Sequence, residues 1–236
     1  MYMAMPYNEN GQLGAQKIAR LLVVLLCHAH PKLGLTYTNM GNSQGYLMKK
    51  LLYLCLLALL SFNAQAAWQL NNEQSLINFV SIKASSIAEV HHFKSLSGSI
   101  SDKTANVSID LLSVETNIPI RNERMKSMLF DTSKYSSTTI TTSIDPASFS
   151  DLKVGEHYQE KLNLMLDLHG ITNAVPASVG VVKLDDDSLL VYSVNPVIIN
   201  AADFGLNKGI EALRSIANLP VISSAVPVTF NLVFNQ

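Results

Sequence analysis

Segments in which apolar and polar residues alternate recur along most of the chain. Residues 225–235 set Val228, Phe230, Leu232 and Phe234 against Thr229, Asn231 and Val233. Residues 160–169 put Leu162, Leu164, Leu166 and Leu168 on one side, with Asn163, Met165, Asp167 and His169 on the other. Residues 105–112 place Val107, Ile109 and Leu111 against Ser108 and Asp110. Successive side chains of a strand point to opposite faces, so a period of two predicts half-buried strands. Residues 76–83, 88–101 (bent, closing at Gly98), 175–184 and 188–200 join the set. Residues 137–144 join it through their Thr, Ser and Ile, which favour strands. Turns fall at Ser101-Asp102-Lys103, His169-Gly170 and Asp185-Asp186-Asp187. Two short helices interrupt: 122–129 after Pro119, carrying Met125, Met128 and Leu129, and 211–217 after Gly209. Eight antiparallel strands with few helices predict an all-β domain, either an up-and-down barrel or a sandwich. No repeat, linker or low-complexity run divides it, so one domain is expected.

A different pattern comes first. Lys49 and Lys50 precede an unbroken apolar run at 51–60, and Ala64-Gln65-Ala66 supplies small residues at the −3 and −1 positions of a cleavage point. This is the three-part secretory signal. Ten apolar residues are about half of what a bilayer-spanning helix needs. Residues 48–66 are therefore expected to be a cleaved signal peptide, with no stable membrane span. Tyr53-Leu54 before Cys55 does not suit lipoprotein processing, which takes small residues there. Residues 1–47 match no targeting pattern, and their apolar run at 21–27 is too short to span. They are expected to be a mis-assigned extension ahead of a start at Met48, leaving 67–236 as the mature domain.

Composition narrows the function. The chain is 48% hydrophobic and 15% charged, with a mean hydropathy of +0.20, too apolar for a disordered chain. The formal net charge of −1 provides no basic field for nucleic acid. Residues 67–236 carry 12 Lys and Arg against 17 Asp and Glu, a net of −5, which suits a soluble exported protein. Both cysteines, Cys27 and Cys55, precede residue 67, so no disulfide or cysteine-based zinc site is expected in the domain. A chain of this length buries roughly 70% of its unfolded surface, enough for one sizeable core.

Four motifs bear on chemistry. Gly41-Asn42-Ser43-Gln44-Gly45 fits the nucleophile-elbow pattern, but that chemistry needs a strand-to-helix turn above a sheet. Lying ahead of the signal, it reads as a chance match. His91 and His92 are adjacent on a strand, so their side chains point to opposite faces and do not readily share an ion. A zinc site takes three or four convergent ligands, and no metal or cofactor is expected. Arg121, Glu123, Arg124 and Asp131 cluster at the first helix. They either form an ion-pair network holding that helix over a barrel mouth, or the arginines attract an anionic head group. Asp167 and His169 share a strand face that reads as a polar exterior, and no catalytic pair or triad emerges elsewhere.

Several stretches in fixed order resemble the YceI-like periplasmic polyisoprenoid-binding proteins. Trp68-Gln69-Leu70 and Ser75-Leu76-Ile77-Asn78-Phe79 are similar to that family's opening strand, and residues 93–98 to its Phe-x-x-(apolar)-x-Gly step. Residues 109–116, followed by Arg121-Asn122-Glu123-Arg124-Met125 and Phe130-Asp131, resemble its Ser-(apolar)-x-Thr, Arg-Asp-x-His-Leu and Phe-Phe-Asp series. Residues 168–172 are similar to its Gly-(apolar)-Thr turn and residues 200–205 to its Asp-Phe-Gly step. This chain departs at Asn122-Glu123-Arg124 for Asp-x-His, at Tyr135-Ser136 for Tyr-Pro, and at Lys83 for a histidine. The resemblance implies an eight-stranded lipocalin-like barrel in the periplasm, with an apolar tunnel for a long isoprenoid and a homodimer.

Together these readings give a non-enzymatic carrier of an isoprenoid lipid or quinone-like ligand. Strand parity assigns Ile77, Phe79, Phe93, Ile109, Leu111, Leu164, Leu166, Phe204, Phe230 and Leu232 to the interior. Met125, Met128, Leu129 and Phe130 are assigned to the mouth, where flexible thioethers fit an irregular ligand. Arg121 and Arg124 are the candidate head-group contacts. The rival is a cell-envelope enzyme acting on a lipid or quinone, with His92 or His169 as base. It requires a histidine and a carboxylate to converge in the cavity.

Overall fold

The structure is a computed structural model and describes residues 67–236. The expected extension, signal peptide, Gly41–Gly45 match and both cysteines lie outside the described residues. Eleven strands form one antiparallel sheet that closes on itself. In chain order they are β1 (Trp68–Lys83), β2 (Ile87–Phe93), β3 (Leu96–Ser101), β4 (Thr104–Asp110), β5 (Val114–Glu115), β6 (Ser137–Ser143), β7 (His157–Leu168), β8 (Ile171–Asp185), β9 (Ser188–Ser193), β10 (Val197–Asn200) and β11 (Ala225–Asn235). The ring runs β11, β9, β8, β7, β6, β4, β3 and β1, and β1 pairs back onto β11. It is a closed eight-stranded antiparallel barrel, the predicted fold class, and closure removes the exposed edges that would otherwise template aggregation.

Two of the predicted strands are broken. The one at 88–101 splits into β2 and β3, because β1 uses different halves of its length for different partners. Trp68 and Gln69 pair with β3, and Ile77–Lys83 pair with β2. Asn72 covers the break at Lys94-Ser95: its Oδ1 accepts from the Leu96 amide at 2.6 Å and its Nδ2 donates to the Lys94 carbonyl at 3.1 Å. The strand at 188–200 splits into β9 and β10 around Asn195-Pro196, where proline lacks the N–H a ladder needs. β1 itself begins eight residues earlier than the predicted 76, across an irregularity between Asn71 and Leu76. The His169-Gly170 turn joins β7 to β8 with both residues at positive φ, 56° and 76°. That is the conformation a two-residue hairpin favours.

Three helices complete the domain. α1 (Pro119–Arg124) begins at its proline, whose missing N–H would be unpaired there in any case, and runs on as one π-helical turn through Met125–Leu129. α2 (Ala147–Ser150) follows β6, and α3 (Asn207–Ile216) begins four residues before the predicted 211. α3 crosses the π-turn at Gly209, where a Cβ would stand 2.6 Å from the Met128 carbonyl oxygen. Among the described residues no helix is long and apolar enough to cross a membrane.

Candidate ligand cavity

Three faces meet in the barrel's upper half. β1 points Ile77, Phe79, Ser81 and Lys83 inward, every second residue, and β2 answers with Phe93, His91 and Glu89. The register pairs Ile77 with Phe93, Phe79 with His91, and Ser81 with Glu89. The inner wall therefore passes from apolar to polar toward the mouth. α1 and α3 lie over that mouth and turn Ile118, Ile120, Met125, Leu213 and Ile216 toward it. The cavity measures about 430 Å³. A second space of about 100 Å³ lies toward the other end, lined by Ile100, Phe149, Tyr158, Leu189 and Phe234 among others. Ile77, Ile140, Leu164 and Phe230 line both, and so form a waist between them.

The residues assigned to the interior from sequence divide between these spaces. Ile77, Phe79, Phe93, Ile109, Leu111, Leu164, Leu166 and Phe230 line the larger cavity, with Met125, Leu129 and Phe130 from the helical segment. Leu232 lines the smaller space. Phe204 is buried in a separate cluster with Leu166, Ala201 and Leu206, on the 3₁₀ turn after β10. Met128 lines neither, because the π-turn presents its backbone to α3 instead.

The polar rung of the wall is tightly wired. His91 is 2% exposed, and its Nε2 lies 2.9 Å from Ser81 Oγ. Its ring packs at 5.2 Å on Phe79. Burial pushes the His91 pKa below the ordinary histidine value, and neighbouring Arg121 pushes the same way. Glu89 Oε2 meets Lys83 Nζ at 2.7 Å and Arg121 Nη1 at 2.8 Å. The Lys83 contact foremost, with Arg121, holds that carboxyl below the usual range. Arg121 Nη2 donates to the Thr116 carbonyl at 2.6 Å. Among the described residues, His91 Nδ1 and Arg121 Nε are the buried side-chain nitrogens with no hydrogen-bond partner.

Of the two alternatives for Arg121, Glu123, Arg124 and Asp131, the ion-pair network among them does not form. Glu123 pairs with Lys126, one turn along the same helical face, at 3.0 Å. Asp131 Oδ1 accepts from Ser133 at 2.8 Å. Arg121 turns inward to β2, and Arg124 lines the cavity with no ion pair among the described residues. The helix is anchored elsewhere. Asn122 Oδ1 accepts from the amide and hydroxyl of buried Thr116, at 2.9 and 2.6 Å, and its Nδ2 donates to Glu115 Oε1 at 2.9 Å. An aspartate at 122 would set two carboxylates together, which gives the Asn122 departure from the family pattern a physical reason.

Neither histidine of the enzymatic rival lies in the cavity. His92 sits on the opposite face of β2 from His91, and His169 stacks on Tyr135 at 4.4 Å in the β7–β8 turn. The histidine and carboxylate that do line it are His91 and Glu89, with Glu89 already engaged by two cations. The sequence reading named His92 and missed His91, although parity holds the signal: His91 is two residues from Phe93, and same-face neighbours on a strand are two apart.

Comparison with known proteins agrees with this architecture. The YceI-like domain profile matches residues 68–234. A solved structure of a polyisoprenoid-binding domain from Saccharophagus degradans, implicated in plant cell wall breakdown, is 40% identical. It superposes with a TM-score of 0.70, the match covering 72% of this chain and 98% of that one. The crystal structure of Burkholderia cenocepacia BcnA, 19% identical, matches with a TM-score of 0.55 over 70% of this chain and 98% of that one, a likeness of fold. No curated protein sequence matches the chain. With a profile match across the whole barrel and a relative this similar over nearly its full length, the chain belongs to the YceI-like domain family.

Proposed function

We propose that this protein is an exported, non-enzymatic carrier that holds a long-chain isoprenoid lipid inside its barrel. The observation that carries the reading is the cavity of about 430 Å³ within a closed barrel, walled mainly by apolar side chains. An isoprenoid tail is insoluble, and each CH₂ removed from water contributes about 0.8 kcal/mol. Burial is non-directional and scales with area, so such a wall binds a tail without polar recognition. The described binding of polyisoprenoid by the Saccharophagus degradans domain supports the same ligand class. Ile118, Ile120 and Ile216 line the cavity yet are 43%, 58% and 49% exposed, which marks the side through which a tail enters. The residues at 48–66 support delivery to the periplasm, where a lipid in transit needs a substitute for membrane. A carrier reading suits Glu89 better than catalysis does, since a carboxylate paired with two cations is a weak base.

Mass spectrometry of an organic extract of the protein, purified from its own envelope fraction, tests the reading. The expected result is a co-purifying isoprenoid at near-stoichiometric amount. A ligand-free protein that also fails to take up isoprenoids in vitro would overturn it.

A further inference from the structure

The rim of the larger cavity is apolar on its outer side as well as its inner one. Beyond the three exposed isoleucines that border the cavity, Ile87 and Val221 stand 50% and 40% exposed without lining it. Ile87 follows Phe93, His91 and Glu89 as the next inward position of β2, which places it past the cavity and on the rim. The loop after α3 is stitched beside it. The Val221 carbonyl accepts from the Ala84 amide at 2.9 Å, and the Ser223 amide donates to the Ile82 carbonyl at 2.8 Å. Ile222 bridges to Lys83, which also pairs with Ile87. Arg214 Nη1 ties the same loop to α3 by donating to the Leu219 carbonyl at 2.8 Å. Exposed apolar side chains from the β1–β2 turn, the start of α1, the end of α3 and the loop after it therefore surround one opening on a hydrogen-bonded frame. Such a patch marks an interaction site.

Charge identifies what covers it. Residues 81–91, 116–131 and 206–224, which build this rim, carry six Lys and Arg against four Asp and Glu. Two of those cations, Arg124 and Lys208, have no ion pair among the described residues. The floor segments 101–104, 144–160 and 183–188 carry three Lys against eight Asp and Glu. A domain with a net charge of −5 is therefore basic at its hollow end and acidic at its closed one. On the β7–β8 side the rim carries Asp167, bonded to Thr172, and Asp203, whose carbonyl accepts from Asn173. That leaves the α1–α3 side to meet an anionic surface. A second copy of the chain would set like charge against like here. A bilayer with anionic head groups offers opposite charge to the cations and an acyl boundary to the isoleucines. Resting on the carrier reading, we propose that this rim docks on an anionic lipid bilayer, with Ile87, Ile118, Ile120, Ile216 and Val221 entering the interfacial layer. The tail then passes between bilayer and cavity without exposing its length to water.

Flotation with vesicles of phosphatidylcholine, alone or mixed with phosphatidylglycerol, measures docking. Uptake of a detergent-dispersed isoprenoid alcohol measures ligand binding separately. The protein is expected to bind the mixed vesicles at least about tenfold tighter than the neutral ones, and more weakly as salt rises. Ile87→Ser combined with Val221→Ser lies outside the cavity wall. It should weaken vesicle binding at least about tenfold, since such binding scales with buried apolar area, while isoprenoid affinity holds. Lys208→Glu should narrow the preference for anionic vesicles. Trp68, the single tryptophan of the chain, pairs with Ile100 at the floor. Its fluorescence should ignore brominated lipid, whereas the added emission of Val221→Trp should be quenched. Absence of flotation with either vesicle, or quenching of Trp68 in the unaltered protein, would overturn the proposal whatever the stability of the variants. So would full vesicle binding by the double variant, or a dimer in solution that dissociates in it, since a second copy would then cover the rim. Isoprenoid uptake without vesicle binding sinks the docking alone. No uptake at all sinks the carrier reading and the proposal that rests on it.

Discussion

At one end of the barrel the strands meet two helices and a cavity of about 430 Å³; at the other they close around Phe149 and a space of about 100 Å³. The same alternating strands build both ends, so alternation does not decide which end is hollow. The covering element differs between them. The floor presents Phe149, Tyr158 and Phe234, with α2 bringing Phe149 across the opening. The upper cavity is walled by Phe79, Phe93 and Phe130 as well as by Ser81, Thr138 and Ala201, and α1 and α3 lie over its rim. An eight-stranded barrel is wide enough either to be filled by its own side chains or to hold one small ligand, and the two ends of this one differ in that respect.

The largest expected effect follows from that contrast. Phe234 is 2% exposed at the floor. Phe234→Ala should cost about 3–5 kcal/mol, the range for truncating a packed phenylalanine. Leu213 is half-buried at the mouth and borders open volume, so Leu213→Ala forfeits fewer contacts and should cost about 1 kcal/mol. Urea denaturation of both variants checks the order. A mouth truncation as costly as the floor truncation would show that the upper cavity is not open in solution.

The waist tests whether the two ends communicate. Ile140→Phe narrows the passage among Ile77, Leu164 and Phe230. A tail end kept out of the lower space loses about 0.8 kcal/mol per CH₂. Affinity for a long isoprenoid should then fall about tenfold for every two groups excluded, while a short tail binds as before. A series of tails of increasing length reads this directly. Equal losses for short and long tails would mean that ligand never passes the waist.

Much of the hollow architecture was legible in the sequence, and the reason is local. The predicted bounds of the last strand, 225–235, match β11, and those at 137–144 and 160–169 fall within a few residues of β6 and β7, since 225–235 and 160–169 carry a clean period of two and 137–144 is rich in strand-favouring Thr, Ser and Ile. The breaks in 88–101 and 188–200 were not legible. They arise from which neighbour each half of a strand finds, and a side chain as distant as Asn72 satisfies the first of them. The polar rung was half legible. Parity with Phe93 marks His91 rather than the expected His92 as the inward histidine, but its contact with Ser81 depends on the β1–β2 register. The fate of Arg121 was not legible at all, because its partner Glu89 lies 32 residues away.

The mouth owes its shape to the junction of β5 with α1, which gives the next prediction. Asn122→Ala leaves the buried Thr116 amide and hydroxyl without their acceptor and should cost about 1–3 kcal/mol. The same junction is sensitive to acid. Hydrogen bonds from Asn122 first, then Lys94 and the Asn117 amide, hold the Glu115 pKa at about 2 instead of 4.5. A carboxyl whose folded value is depressed stabilises the fold fully above its unfolded value, and loses that contribution as pH falls toward the folded one. The junction should therefore be intact above about pH 4.5 and weaken between there and about pH 2. Glu115→Gln should flatten this part of the stability profile and leave the floor's contribution unchanged.

The smallest effect concerns the two arginines, which sequence alone treated as equivalent. Arg121 holds Glu89 and the Thr116 carbonyl, and its removal leaves Glu89 with Lys83 as its remaining ion-pair partner. Arg124 has no ion pair among the described residues, so Arg124→Ala should change stability by no more than about 0.5 kcal/mol, as for ordinary surface positions. Thermal melts of the two alanine variants should therefore separate, with Arg121→Ala clearly lower. Salt provides the matching test on binding. Exposed charges are screened over about 8–10 Å at physiological ionic strength, so a phosphate held by Arg124 would be released as salt rises. A tail buried in the apolar cavity has no such dependence, and raising salt strengthens apolar burial slightly if it changes it at all. Affinity that is flat in salt and indifferent to Arg124→Ala is the expected result. A steep fall with salt, abolished in Arg124→Ala, would move the energetic centre of binding from the cavity wall to its rim.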